Sequence, residues 1–256
     1  MDDVAQALDA LKGEGPFEGA VTDVTEIAPG IFRLCTPVAP QFFPPAGFTF
    51  AQFLIVDEQP LLFHTGPRRM FPCLVKAMRA VLPIEKLRWL SFSHGESDES
   101  GALNEILRAA PNCEVVCSRV AKSTVVDDCA IRPARVLAHR ETLKLGRHVV
   151  QWFDTPHFPH GWEAGMMLET TTGTLLCSDL FTQFGDKHPA LTEDDILEPS
   201  EAIRKKARFY ANPQAARPIL EELAAARPRL IATMHGPVWR GDGAALLRQL
   251  ADRLEA

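Results

Sequence analysis

The sequence predicts a layered α/β domain in which helices cover β-sheets, and two observations predict it. First, strand-like segments open the chain, alternate with helix-like segments in its middle, and return before a helical C-terminal part. Second, the composition is 46% hydrophobic and 23% charged, which is typical of a globular protein with a sizeable core. We expect residues 1–256 to form a single domain, with an amphipathic helix or extension over residues 1–20.

In the first half of the chain, alternating polarity predicts strands and helical spacing of apolar residues predicts helices. Two strands joined by a tight turn are expected over 24–38, and two apolar strands joined by the turn "DEQP" over 48–66. The other elements of this half are a helix over 73–82, a strand over 86–94, a helix over 100–110, a strand over 113–120 and a helix over 121–130.

The second half returns to strands before it becomes helical. The expected elements are a hairpin over 141–156, two strands over 165–180, a helical segment over 200–228 that is broken near Asn212-Pro213, a strand over 229–236 and a closing helix over 241–256.

The charge balance and the absence of long apolar runs exclude several functions. The net charge of −6 argues against a general binder of nucleic acid or of an anionic membrane. The sequence contains no run of about 18 or more apolar residues, so no membrane span is predicted. The acidic N-terminus lacks the features of a secretory signal. None of the six cysteines shows C-x-x-C spacing, so we expect reduced thiols in a cytoplasmic protein.

A polar cluster, "HGESDE", follows the buried strand "LRWLSFS", and three similar clusters follow later strands. Loops at strand ends are where α/β proteins collect functional residues, so we expect the four clusters to converge. They would bring together carboxylates and imidazoles from His94, Glu96, Asp98, Glu99, His160, Asp179 and His235.

The charge of this set predicts a pair of metal ions. Four carboxylates carry −4 and three neutral imidazoles carry none, so two divalent cations would neutralise the site. Oxygen and imidazole donors without sulfur suit iron or manganese, with zinc possible. We expect His94 and Glu96 to hold the first ion with His160. Asp98 and Glu99 would then hold the second with His235, and Asp179 would bridge.

At these residues the sequence resembles the metallo-β-lactamase superfamily, and within it the diiron branch of flavodiiron and oxygen-binding diiron proteins. That branch carries the motif H-x-E-x-D, with the glutamate here at Glu96. Further matching features are "SGAL", an aspartate 19 residues after His160, "CSDLFTQFG", "RFYAN" and "HGPVWR". The resemblance extends over about residues 25–250.

The resemblance implies a four-layer αββα sandwich with the metals at one edge between two sheets. It implies a non-haem diiron centre that binds, and as an enzyme reduces, O2 or NO. We expect no flavodoxin (FMN) domain in the chain, and the sequence contains no Gly-rich flavin loop. Electrons would then come from a separate donor protein. A homodimer is expected by the same analogy.

The sequence departs from the branch at two positions. Glu99 stands where the branch has a second histidine, and it either binds a metal or points away from it. His64 stands where many members have aspartate, and we expect it to support a ligand through a hydrogen bond. His157 is the competitor of His160 and is expected in a supporting role, and Trp162 is a candidate for the pocket wall. His139, His148 and His188 are expected at the surface.

Two alternative functions remain open at this stage. A binuclear metallohydrolase would use a metal-bridging hydroxide on an ester, thioester or lactam, although Glu96 in place of histidine argues against it. A diiron oxygen-sensing module would bind the gas without turnover and signal through a partner.

Overall fold

The computed structural model describes residues 15–255, which form two seven-stranded β-sheets and the helices that cover them. Of the predicted N-terminal helix or extension over residues 1–20, residues 1–14 lie outside this described part, and residues 16–19 form a turn. Within residues 15–255, no helix has both the length and the apolar character needed to cross a bilayer.

The first sheet is formed by consecutive strands that are adjacent in space in the same order as in the chain. They are β1 (Asp23–Ala28), β2 (Ile31–Val38), β3 (Phe48–Ile55), β4 (Leu61–Phe63), β5 (Trp89–Ser91), β6 (Glu114–Cys117) and β7 (Ala134–Val136). β1 to β4 pair antiparallel, and β4 to β7 pair parallel. The parallel half is thus the part in which helices connect the strands.

The second sheet contains the later strands in the spatial order β12-β14-β13-β11-β10-β9-β8. They are β8 (Thr142–Lys144), β9 (Val149–Asp154), β10 (Gly165–Glu169), β11 (Thr174–Leu176), β12 (Leu191–Thr192), β13 (Leu230–Ala232) and β14 (Val238–Arg240). β8 to β11 form antiparallel pairs, and β11 pairs parallel with β13.

The helices lie outside the two sheets. They are α1 (Phe71–Met78), α2 (Ser97–Ser100), α3 (Leu103–Ala109), α4 (Leu197–Ala207), α5 (Ala216–Ala225) and α6 (Gly243–Glu255). Between β6 and β7 the chain makes three consecutive short helical segments, which are Arg119–Ala121, the π-helical Lys122–Val126 and Asp127–Cys129. Short 3-10 turns occupy Arg68–Met70, Ile84–Lys86 and Pro213–Ala215.

Alternation along the strands separates the core between the two sheets from the cores on their outer faces. In β9, Trp152 points between the sheets while Phe153 faces the helices outside the second sheet. In β3, Phe53 points between the sheets while Leu54 packs with the helices outside the first. Because β3 and β9 each pack apolar side chains on both faces, the layers are helix, sheet, sheet and helix, which confirms the predicted four-layer αββα sandwich.

The structure corrects the predictions at several elements. β7, β12 and β14 were not predicted, because two or three residues give too little alternation to recognise. His148 was expected at the surface and this is wrong: it is buried, with its Nδ1 3.1 Å from the buried Glu169 carboxylate. His188 is half-buried.

Candidate metal centre

The four polar clusters lie at strand ends that meet along one edge between the two sheets. His94 to Glu99 follow β5 of the first sheet, and the short helix α2 begins directly after Glu96. His160, Asp179 and His235 follow β9, β11 and β13 of the second sheet. The structure therefore brings all seven candidate ligands of the sequence analysis into one cluster.

One half of the cluster contains His94, Glu96 and His160, with one oxygen of Asp179. His160 Nε2 lies 3.2 Å from Glu96 Oε1 and 3.4 Å from Asp179 Oδ2. His94 Nε2 lies 3.4 Å from the same Asp179 oxygen and 3.9 Å from Glu96 Oε2. One donor atom from each of His94, Glu96 and His160 lies within 4.8 Å of the others.

The other half contains Asp98, Glu99 and His235, with the second oxygen of Asp179. His235 Nε2 lies 3.2 Å from Asp98 Oδ2 and 3.3 Å from Asp179 Oδ1. One donor atom from each of Asp98, Glu99 and His235 lies within 4.8 Å of the others. Asp179 thus faces one half with each of its oxygens.

The spacing and the unpaired atoms fit metal binding. Two donors about 2.1 Å from one ion, at 90° to 109° from each other, lie about 3.0–3.4 Å apart, close to the separations found here. Within residues 15–255, the buried atoms that lack a hydrogen-bond partner include His94 Nε2, His160 Nε2, Asp179 Oδ1 and both oxygens of Glu99. Buried polar atoms are normally paired, so this concentration indicates a cation site.

Each imidazole is oriented through its other nitrogen. His160 Nδ1 is 3.0 Å from the Phe209 carbonyl oxygen, and His235 Nδ1 is 2.7 Å from that of Thr49. A carbonyl only accepts, so Nδ1 carries a proton in both residues and Nε2 is the nitrogen that faces the site. For His94, the nearer Nδ1 partner is the Ser93 hydroxyl at 3.0 Å, and the Ser178 hydroxyl lies at 3.4 Å.

The pKa shifts follow from the crowding of the carboxylates. The His160 and His94 imidazoles lower the pKa of Glu96. Burial alone would raise the pKa of Asp98, but the neighbouring His235 outweighs it and the pKa is lowered. Burial alone would lower the pKa of His235, but Asp179 and Asp98 raise it to about 10. The site therefore stabilises positive charge strongly.

Glu99 has the opposite shift from the other carboxylates. Its side chain is buried, with 0% of the residue exposed. Burial, followed by the charges of Asp179 and Asp98, raises its pKa well above the ordinary range. Its Oε2 lies 3.6 Å from His94 Nε2, so its carboxylate faces the cluster and does not point away.

A cavity of about 220 Å³ opens onto the cluster. Glu96, Asp98, His160, Asp179 and His235 form its polar end. Its other walls are mainly apolar and come from Phe48, Thr182, Phe184, Ile203, Ala207 and Phe209. None of these six was identified from the sequence, because they come from β3, from the loop after Asp179 and from the end of α4.

The three supporting candidates have different environments. His64 is buried, and its Nε2 lies 2.9 Å from Ser93 Oγ, which in turn contacts His94 Nδ1. Burial lowers the pKa of His64 to about 3. His157 is exposed, and Trp162 is 61% exposed. Neither of these two is among the residues that line the cavity.

Sequence reasoning missed the residues that hold the His235 loop. The Thr49 hydroxyl, on β3, accepts a hydrogen bond from Gly236 N–H at 3.0 Å. The Thr49 carbonyl accepts one from His235 Nδ1. The buried Arg33 of β2 donates from Nη2 to the Gly236 carbonyl at 2.7 Å. Phe48 stacks on the His235 ring with centroids 4.2 Å apart. The one signal of these contacts in the sequence is Arg33, a charged residue within the apolar pattern of a predicted strand.

Comparisons with known proteins agree with this geometry. A family model described as ODP family beta lactamase matches residues 48–236. The rubredoxin-oxygen oxidoreductase of Megalodesulfovibrio gigas is 27% identical over 212 residues, which cover 77% of this chain and 50% of that protein. The anaerobic nitric oxide reductase flavorubredoxin of Pectobacterium carotovorum is 25% identical over 218 residues, 78% of this chain and 41% of that protein. The chain thus spans about half the length, or less, of these curated relatives.

Solved structures share the fold. The rubredoxin oxygen:oxidoreductase from Desulfovibrio gigas superposes with a TM-score of 0.80 at 21% identity, over 91% of this chain and 62% of that one. A fragment of the putative diflavin flavoprotein A 5 from Nostoc superposes with a TM-score of 0.77 at 20% identity, over 92% of this chain and 96% of that one. Because the family model covers well over half of the chain, the chain belongs to the family described as ODP family beta lactamase.

Proposed function

We propose that this chain holds a non-haem diiron centre and binds and reduces O2 or NO. The observation that carries the proposal is the pair of donor sets joined by the two oxygens of Asp179. Four carboxylates and three imidazoles provide hard donors and a charge of −4, which two divalent iron ions neutralise. The names of the relatives, a rubredoxin-oxygen oxidoreductase and a nitric oxide reductase flavorubredoxin, support this chemistry.

In this proposal the protein residues have three tasks. His94, Glu96 and His160 would hold one ion, Asp98 and His235 would hold the other, and Asp179, with one oxygen facing each set, would contribute to both. Bound iron would supply redox chemistry and an open coordination position for the gas. The backbone carbonyls behind His160 and His235 accept from Nδ1–H, so that Nε2 is the nitrogen available to an ion in both residues.

The cavity suits a small uncharged ligand. Phe48, Phe184 and Phe209 form an apolar wall beside the carboxylates, and a volume of about 220 Å³ is small for an organic substrate. An apolar wall excludes water from the reacting gas. Glu96 lies at the opening, where its side chain is 57% exposed and can exchange protons with solvent.

The source of electrons in this proposal is a separate redox protein. The names of the relatives combine an oxygen or nitric oxide activity with rubredoxin or flavoprotein, which supports a protein donor. The chain is proposed to work as a homodimer, as the family resemblance implies. The six free cysteines accord with a reducing compartment such as the cytoplasm.

The test is gas consumption by the iron-loaded chain. The protein is reconstituted anaerobically with Fe²⁺, reduced, and followed with O2 and NO electrodes, beside an Asp179→Ala variant. Consumption of either gas that depends on reductant and is lost in the variant supports the proposal. Zinc in the purified protein, together with ester or thioester hydrolysis without reductant, would instead assign the metallohydrolase function. Tight gas binding without turnover would assign the sensing module.

A further inference from the structure

Glu99 occupies a position between the two halves of the cluster. Its Oε2 lies 3.6 Å from His94 Nε2 of the first half. Its carboxylate also belongs to a group with Asp98 and His235 of the second half, in which the donor atoms lie within 4.8 Å of one another. A third group joins Glu99 with His94 and Asp179 over the same distance. Glu99 therefore reaches donors on both sides.

Among the described residues, the ionised Glu99 carboxylate has no close partner besides the His94 imidazole. Within residues 15–255, neither oxygen of Glu99 accepts a hydrogen bond, and no lysine or arginine lies within 4.0 Å of it. Its backbone carbonyl accepts from Thr65 N–H at 2.8 Å, so the residue is fixed on helix α2. A fully buried carboxylate without a donor or a cation is costly, and a metal ion would remove that cost.

We propose that Glu99 is a second bridging carboxylate, with one oxygen on each ion, in addition to Asp179. This inference rests on the two-metal centre of the proposed function. One oxygen would join His94, Glu96 and His160, and the other would join Asp98 and His235. Helix α2 makes this possible because it places Asp98 and Glu99 side by side at the boundary of the two halves.

The bridge would distinguish this chain from relatives with histidine at this position. An imidazole with Nδ1 held by the protein offers one nitrogen to one ion and adds no charge. A carboxylate offers two oxygens and one negative charge. The centre of this chain would therefore be held together by two bridges and would carry one more negative charge, which favours the oxidised metal pair.

A structure of the metal-loaded chain tests the inference directly. Crystals of the full chain are grown anaerobically with Mn²⁺ as a stable substitute for Fe²⁺. The expected result is two ions per chain, with Glu99 Oε1 and Oε2 each about 2.0–2.2 Å from a different ion. Both oxygens on one ion, or neither within bonding distance, would overturn the bridging role.

Metal titration of variants tests the same inference in solution. Glu99→Gln keeps the side-chain shape but removes the charge, and Glu99→His supplies a single donor. Glu169→Gln is the matched control, because Glu169 is as buried as Glu99 but lies away from the cluster. Gly165, at the start of β10, donates to the Ser93 carbonyl beside His94, whereas Glu169 is at the other end of this strand. Circular dichroism of each variant confirms that it folds.

The expected outcome is weaker binding at both ions in Glu99→Gln, by about 10–100-fold or more, and wild-type binding in the control. In Mn²⁺-loaded protein, the electron paramagnetic resonance signal of a coupled pair should weaken in Glu99→Gln and Glu99→His. Unchanged affinities and coupling in Glu99→Gln would overturn the inference and leave the diiron proposal standing. Weakening of one ion alone would make Glu99 a terminal ligand. A wild-type chain that binds no metal pair would overturn both.

Discussion

Replacing Glu99 with glutamine should change stability in opposite directions in the metal-free and metal-bound protein. In the metal-free site, donor atoms of Glu99 lie within 4.8 Å of those of Asp98 and Asp179. At an effective dielectric constant of about 20, each such pair of like charges repels by roughly 3.5 kcal/mol or more. Proton uptake by Glu99 limits the cost, so we expect Glu99→Gln to raise the free energy of unfolding by about 2–3 kcal/mol.

The gain should depend on pH in a defined direction. Burial and the charges of Asp179 and Asp98 raise the pKa of Glu99 in the folded protein. A carboxyl group with a raised pKa destabilises the fold above its unfolded pKa of about 4.3, and the cost disappears below that value. The stabilisation by Glu99→Gln should therefore be present at pH 7 and absent near pH 4.

With metal bound, the sign should reverse. The carboxylate is then attracted to the ions and contributes to their binding. A tenfold loss of affinity at one ion, with metal in excess, removes about 1.4 kcal/mol of ligand-linked stability. The gain of about 2–3 kcal/mol in the metal-free form counts against this loss. A hundredfold weakening at both ions, about 5.5 kcal/mol in total, should therefore leave Glu99→Gln about 3 kcal/mol less stable than wild type in the loaded form.

Urea denaturation of chelator-treated and Mn²⁺-loaded protein measures both effects. The control is Glu169→Gln, because Glu169 accepts hydrogen bonds from the Thr171 and Thr172 N–H groups at 2.9 Å and 2.8 Å. Its loss should destabilise both forms by the same amount. If Glu99→Gln destabilises the metal-free protein as much as the loaded protein, Glu99 is a structural acid and the electrostatic reasoning is wrong.

Three further changes have separate expected outcomes. Ser93→Ala removes the hydroxyl behind His94 and should weaken metal binding by about 10–100-fold in competition with a chelator; unchanged affinity would contradict that role. Phe48→Ala removes the ring stacked on His235 and should cost about 1 kcal/mol of stability. Because this ring forms part of the cavity wall, its removal should also speed the binding of azide to the metal-loaded site, measured by stopped flow. Slower azide binding would contradict the place of Phe48 in the wall. Hydrogen bonds hold the pKa of Glu169 below its usual value despite burial. Glu169→Gln should therefore cost about 1–3 kcal/mol at pH 7 but progressively less as the pH falls below about 4.3; a loss independent of pH would contradict this.

The strand-end rule explains why the cluster could be predicted. His94, His160, Asp179 and His235 all follow segments whose apolar pattern marks a buried strand, and strand ends at one edge converge. The charge sum added the expectation of two ions. Neither prediction depends on knowing which side chains touch, so both can be made from the sequence alone.

The remainder of the site depends on tertiary packing. Phe209 follows the end of α4, lines the cavity and accepts from His160 Nδ1 through its carbonyl, although 49 residues separate the two in the chain. Trp162 is two residues from His160, yet its side chain is 61% exposed. His148 is buried, with its Nδ1 3.1 Å from the Glu169 carboxylate. Glu169 lies 21 residues later in the chain and comes close to His148 only when the second sheet forms. Sequence proximity does not report such contacts.

The most direct test of the two-metal centre is metal analysis of protein purified without oxygen, for wild type and Asp179→Ala. Convergence of the loops on a shared ion pair predicts two iron ions per chain in the wild type and loss of both in the variant, with the fold retained. A variant that keeps its full metal content, or a wild type that binds none when iron is supplied, would contradict it.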